Sequence, residues 1–233
     1  MDAFELLAKR GVEAWPRAGA ASWLGHVCLG MAQFWKGHWQ DGLGTLECAI
    51  RSEPFPDWID QVWGSLFLLK AYTRHADALS LFAGRRAALP SPSKPSFLGA
   101  WALVQLAVEG LAVVGERREA HALYATVLQL AERRISTLLA GLVQTAAGIA
   151  AACGGEWDRA EQHYQTALRQ AHEIPHKIAQ PEARRWYAQM LLDRNAPGDR
   201  ERARTLLGEA IEMYRTIGMP KHLEIAERML GRL

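Results

Sequence analysis

Apolar residues recur three and four apart along nearly the whole chain, the spacing that gathers side chains on one face of an α-helix. In GEWDRAEQHYQTALRQA, Ala160, Tyr164 and Ala167 share such a face, flanked by polar positions. Reading the pattern in both directions predicts a leading helix over 2–13 with Phe4, Leu6, Leu7 and Val12 as its apolar side. Helix pairs follow at 21–36 with 39–51, 57–72 with 75–88, 96–114 with 117–132, 135–153 with 156–173, and 179–194 with 199–217. A last helix over 220–232 carries Leu223, Ala226, Met229 and Leu230 on one stripe.

Breakers fall between these segments. Gly154-Gly155 reads as a helix stop, with glycine free to take left-handed dihedrals. A phosphate cradle is the weaker reading, because Glu156 and Asp158 at the following helix start would repel an anion. Gly218-Met219-Pro220 reads as a glycine stop followed by a proline start. Asp199, after NAPG, is placed to cap the helix that follows it. LPSPSKPS, 89–96, has three prolines and must be extended. It divides the chain into sub-arrays 1–89 and 96–233 around a break at 90–95.

The helix pairs repeat a frame. A small or aliphatic residue in the first helix is followed by a small residue, a larger one one turn on, and a third position after that. Gly30 precedes Gly42, Leu46 and Ala49; Leu66 precedes Ala78, Phe82 and Arg85; Val108 precedes Ala120, Tyr124 and Val127; Gly148 precedes Ala160, Tyr164 and Ala167; Met190 precedes Ala203, Leu207 and Ala210. Residues 42, 78, 120, 160 and 203 are 36, 42, 40 and 43 apart. The physical reading is close approach: where two helices cross tightly only Gly or Ala fits, and a leucine there overpacks the contact by about 1–3 kcal/mol.

This frame resembles the tetratricopeptide repeat family over residues 23–217. The fourth unit matches best, the first is good, and the second and third lack the glycine. The resemblance implies an all-α fold, a right-handed α-α superhelix of about five helix pairs with an N-terminal and a C-terminal capping helix. It also implies a groove lined by the first helix of each pair. Carried over, the groove positions are Val27, Met31, Phe34 and Trp35; Trp63, Phe67 and Lys70; Gln105 and Glu109; Thr145 and Ile149; and Arg184, Tyr187 and Arg194. The family's carboxylate clamp needs Lys and Asn where Val27 and Met31 stand, so a receptor of that type is not expected. The alternative for each position is packing against the neighbouring pair. The ending, with its APGDRERAR loop, EAIEMYR helix and IGMP turn, is similar to the repeat-containing C-terminal ends of large bacterial regulators. Those combine an ATPase with a nucleotide cyclase, kinase or DNA-binding domain.

Composition narrows the function. Lys plus Arg number 27 and Asp plus Glu 25, a net charge of +2, which offers no field for nucleic acid or an acidic membrane. FLGAWALVQLAVEGLAVVG, 97–115, approaches the length of a membrane span, but Gln105 and Glu109 in its middle argue for a helix buried among protein neighbours. MDAFELLAKRG is acidic first and too short in its apolar run for a signal peptide. The three cysteines, 28, 48 and 153, have no C-x-x-C spacing and suit a reducing cytoplasm. No Walker loop, H-E-x-x-H or G-x-S-x-G occurs. His172 and His176 are four apart, but Pro175 between them breaks the helix a metal pair would need.

The expectation is a non-catalytic module without cofactor or metal. It binds a protein or peptide in its groove, or an ATPase domain of its own or another chain, with affinity from the apolar area around Trp35, Trp63 and Phe67. The alternative is a small-molecule sensor in which some of the nine tryptophans stack on a flat ligand.

Overall fold

The computed structural model describes residues 1–14, 22–51, 58–90, 96–138 and 141–233. Thirteen α-helices carry the described residues, with one strand pair of two residues each. The chain is all-α. It divides into two compact units, Met1–Val114 and Gly115–Leu233. The proline-rich stretch 91–95 lies outside the described residues.

Unit 1 holds α1 (Asp2–Ala14), α2 (Ser22–Trp35), α3 (Trp39–Arg51), α4 (Ile59–Tyr72), α5 (Ala78–Arg85) with a 3-10 turn (Arg86–Ala88), and α6 (Leu98–Val114). Consecutive helices pack from α1 to α5, and α4 also packs along α6. The first repeat frame is built as its residues require. A Cβ on Gly30 would lie 2.6 Å from Leu46 Cγ, and one on Gly42 would lie 3.2 Å from the Gly30 carbonyl oxygen. Two backbones therefore cross where no side chain fits, and Leu46 fills the space beside them. The α4–α6 contact uses glycines that the frame does not contain. A Cβ on Gly64 would meet Leu103 Cα at 3.1 Å, and one on Gly110 would meet the Phe67 ring at 2.5 Å.

The leading helix is turned from its expected orientation. Glu5 and Ala8 are buried, while Leu6 and Leu7 face outward. The reason is electrostatic: Lys36 Nζ donates to Glu5 Oε2 at 2.6 Å and to Asp2 Oδ1 at 2.8 Å, mooring the Glu5 side of α1 on the end of α2. The Lys36 bond to Glu5, with one from Lys9, holds the Glu5 carboxyl down at about 2. The side chain of Phe4 lies outside the described residues.

Unit 2 holds α7 (Arg117–Ala122), α8 (Tyr124–Glu132), β1 (Thr137–Leu138), β2 (Gly141–Leu142), α9 (Val143–Cys153), α10 (Trp157–Glu173), α11 (Ala179–Arg194), α12 (Asp199–Ile217) and α13 (Pro220–Leu230). Ala160, Ala167, Ala203 and Ala210 are fully buried, as are Ala120 and Val127. A Cβ on Gly148 would lie 2.8 Å from the Tyr164 ring. Three expectations need correction. The helix expected over 117–132 is interrupted at Leu123. The helix expected from 135 starts at Val143, after β1 and β2 pair Thr137 with Leu142 and Leu138 with Gly141. Thr137 Oγ1 donates to the Gly141 carbonyl at 2.9 Å, a local bond that competes with a helical start. Finally, Asp199 does not cap forward. Its Oδ2 accepts the Ala196 N–H at 2.9 Å and its carboxylate pairs with Arg194, closing the loop behind it.

The glycine stops behave as read. Gly155 has φ +75° and lets the Glu156 N–H reach the Ala151 carbonyl at 3.0 Å; Gly218 has φ +77° and lets the Met219 N–H reach that of Tyr214 at 3.0 Å, with Pro220 opening α13.

Candidate functional site

Helix α4 decides where a site can lie in unit 1, because it is buried almost all round and its neighbours define its faces. Trp63, Phe67 and Lys70, expected in the groove, each have a partner on α5 or at its start, and the Phe67 ring also lies against Gly110 of α6. The Arg85 guanidinium lies 4.5 Å over the Trp63 ring, Phe67 stacks on Phe82 at 5.1 Å, and Lys70 Nζ donates to Asp77 Oδ2 at 2.7 Å. Contacts of this kind are the alternative to groove lining, packing against a neighbouring helix. Arg85 takes the place of the last small residue of the second frame because it roofs Trp63 there.

The face of α4 turned away from α5 carries Gln61, Ser65, Leu68 and Tyr72, spaced four, three and four. On one flank stand α2 and α3, with Phe34 and Trp39 against Tyr72 at 5.1 and 5.9 Å. On the other stands α6, whose Glu109 Oε1 accepts the Tyr72 hydroxyl at 2.5 Å. Gly64 beside Leu103 and Leu106, and Tyr72 beside Glu109, set α4 and α6 in the same direction. Ser65 and Gln105 therefore stand at about the same height on adjacent helices. Gln61 is 2%, Ser65 0% and Gln105 9% exposed. Gln61 Oε1, Ser65 Oγ and Gln105 Oε1 have no hydrogen-bond partner. An orphaned buried polar atom costs about 1–3 kcal/mol, so three in one region are an unusual concentration. At the start of α4, Trp23 and Trp58 lie ring to ring at 6.0 Å, with the Trp23 indole N–H also unpartnered.

The other expected groove residues are engaged within their own units. Val27, Met31, Phe34 and Trp35 are buried in α2, and Thr145 and Ile149 in α9. On α11, Tyr187 stacks on Tyr164 at 5.4 Å and donates to Glu161 Oε1 at 2.7 Å. Arg194 donates to Glu161 Oε2 at 2.7 Å and holds Asp199 with two bonds, while Arg202 also reaches Glu161 and the Tyr187 hydroxyl. Burial alone would raise the Glu161 carboxyl, but the bonds from Tyr187, Arg202 and Arg194 outweigh it and hold it at about 2. Burial and the adjacent Glu161 charge push the Tyr187 hydroxyl up to about 12. Arg184 Nε donates to Glu209 Oε2 at 2.6 Å.

A second network joins α11, α12 and α13. Arg185 Nη2 donates to Glu182 Oε2 at 2.5 Å, Tyr214 donates to Glu182 Oε1 at 2.6 Å, and Arg185 Nε donates to the Tyr214 oxygen at 3.2 Å. His222 Nε2 lies 3.9 Å from Glu182 Oε1. Burial drives the His222 imidazole down to about 4 against the opposing Glu182 charge. These charges are cross-bonded between neighbouring helices, an arrangement suited to holding them together. Among the described residues no cluster of three or more His, Cys, Asp or Glu could hold a metal. His176 lies beyond the end of α10 and its Nδ1 accepts the Ala179 N–H at 3.2 Å. None of the helices among the described residues is long and apolar enough to cross a membrane.

The sequence reading passed over Gln61 and Ser65. Their signal was present: two polar residues four apart inside the apolar run IDQVWGSLFLLKAY. Compared with family models, curated proteins and solved structures, the chain matches none.

Proposed function

We propose that this chain is a non-catalytic recognition module of a cytoplasmic bacterial signalling or transcriptional regulator, and that it takes a protein or peptide partner. Its helix pairs extend as a right-handed α-α superhelix of tetratricopeptide type; the buried small residues at 30, 42, 148, 160 and 203 support this reading. The aromatic anchors first assigned to the partner are packed inside, so contact area must come from elsewhere. The observation that carries the reading is the outward edge of α1, where Leu6 and Leu7 are 52% and 64% exposed on a helix moored by its polar side. Two adjacent leucines held in water on an ordered helix suit an apolar partner surface. The test is affinity capture from the source cell's lysate with wild type and with Leu6→Asp/Leu7→Asp. The double variant should keep its helicity and melting temperature and lose the captured partner. Equal capture by both proteins rejects the reading.

A second reading is a small-molecule sensor. What favours it is the group of buried polar atoms on Gln61, Ser65 and Gln105 that no group of the protein meets.

A further inference from the structure

We propose that the cleft of unit 2 where the end of α11, the start of α12 and the end of α13 meet binds a carboxylate on a short apolar stem. The carboxylate belongs to a small organic acid or to the last residue of a peptide. The inference goes beyond the partner reading and uses none of its residues.

The cleft has a volume of about 240 Å³. Gln189, Leu192 and Asn195 line it from the end of α11, Arg200 from α12, and Met229, Arg232 and Leu233 from α13 and the residues after it. Its charged side chains are the two arginines, with no acidic side chain beside them. Neither guanidinium has a hydrogen bond or ion pair among the described residues. Every other arginine of α11 and α12 has one: Arg184 with Glu209, Arg185 with Glu182, Arg194 with Asp199, Arg202 with Glu161, Arg204 with Glu201 and Arg215 with Glu212. Arg200 also lies in the first turn of α12, the end where a helix dipole opposes a cation. The acids of that turn are engaged elsewhere, Asp199 by Arg194 and Glu201 by Arg204. Asp193, whose carboxylate meets Gln189, is paired with Arg117. Two free cations therefore line one recess, and an anion is the group they lack. A guanidinium fork matches carboxylate and phosphate alike, so the rest of the lining selects between them. Leu192 and Met229 offer apolar contact, and Met229 is itself buried. Gln189 and Asn195 add neutral amides. Apolar surface beside a few polar groups suits an organic stem rather than a bare, strongly hydrated phosphate. The volume lies below the about 300–1,000 Å³ of drug-sized sites, which keeps the stem short.

The test is isothermal titration calorimetry of the purified full chain at constant ionic strength. The probes are isovalerate, N-acetylleucine and an acetylated tetrapeptide ending in leucine, with the amide of each, inorganic phosphate and chloride as comparators. The acids should bind and their amides should not, and the tighter of the free acid and the peptide identifies the source of the carboxylate. Arg200→Ala and Arg232→Ala should each weaken binding by about tenfold, and Arg200→Lys by less, because lysine keeps the charge and loses the fork. Both arginines are exposed, so the variants should melt with wild type in the absence of ligand. The proposal is overturned if none of the carboxylates binds, if the amides bind as well as the acids, or if both alanine variants keep wild-type affinity. Phosphate or chloride binding as tightly as the carboxylates overturns it too, since any anion would then serve. Alanine variants that melt well below wild type also overturn it, because the arginines would then be holding the fold. The Leu6→Asp/Leu7→Asp protein should retain carboxylate binding, so failure of partner capture and failure of this site are read separately.

Discussion

The two units differ in how they treat buried polarity. Along α4 and α6 of unit 1, buried amide and hydroxyl oxygens stand without partners, in surroundings that are otherwise aromatic and aliphatic. Along α10 to α13 of unit 2, the charged groups between helices are met from several sides: Glu161 by Tyr187, Arg194 and Arg202, and Glu182 by Arg185 and Tyr214. Satisfied networks cement neighbouring helices and fix their register, whereas orphaned atoms cost stability for no structural return. The contrast is one of degree, since Gln170 Oε1 on α10 and Trp186 Nε1 on α11 also stand without partners.

The comparison breaks most visibly at Glu182. Replacing it with leucine leaves Arg185 buried without its carboxylate, and unit 2 should lose about 3–5 kcal/mol in urea unfolding. A loss under about 1 kcal/mol would show that the network is ornamental and that the two units do not differ as described.

Acid probes the same network without mutation. The His222 imidazole sits at about 4 in the folded protein against about 6.5 in an unfolded chain. The folded state therefore holds fewer protons than the unfolded one between those values. Its contribution is fully present above pH 6.5 and is lost as pH falls toward 4, by at most about 3 kcal/mol. Glu182 and Arg185 from α11 and Tyr214 from α12 face it, and Glu182 stays ionised across the window because its carboxyl is lowered. Chemical denaturation at pH 7 and pH 5 should differ in wild type, and the difference should shrink in His222→Gln.

Close crossings sharpen the comparison from the unit 1 side. Gly30→Ala places a Cβ 2.6 Å from Leu46 Cγ, a branch point with no room to retreat, and should cost about 1–3 kcal/mol although alanine is the better helix former. Gly148→Ala, against the Tyr164 ring at 2.8 Å, should behave alike in unit 2. Equal melting temperatures for these variants and wild type would remove the close-approach account of the repeat frame. The smallest effect has the opposite sign. A Cβ on Gly44 of α3 or Gly208 of α12 meets nothing within 4 Å, so alanine there should raise stability by up to about 1 kcal/mol in thermal melts.

Much of the fold was legible because its determinants are local. Small residues at 30, 42, 148 and 160 announce crossings, and α2 with α3 and α11 with α12 lie within a few residues of where periodicity puts them. The hairpin at Thr137–Leu142 was not legible, since a two-residue ladder has no period to read. The site was legible only in part. Gln105 and Glu109 stand on α6, where Glu109 meets Tyr72, while the contacts of Trp63, Phe67 and Lys70 with α5 and the residue before it are not written in the periodicity. In a helix with eleven buried residues of fourteen, hydropathy has no polar side from which to take bearings.

By itself, the sequence determined the helices, their glycine stops and the positions where backbones must touch, since each depends on residues within one or two turns of each other. Only the tertiary structure decided which way α1 and α4 are rolled, because that is set by long-range partners. Lys36 claims Glu5 and so exposes Leu6 and Leu7. Arg85 and Phe82 claim Trp63 and Phe67, and so leave Gln61 and Ser65 on the opposite face.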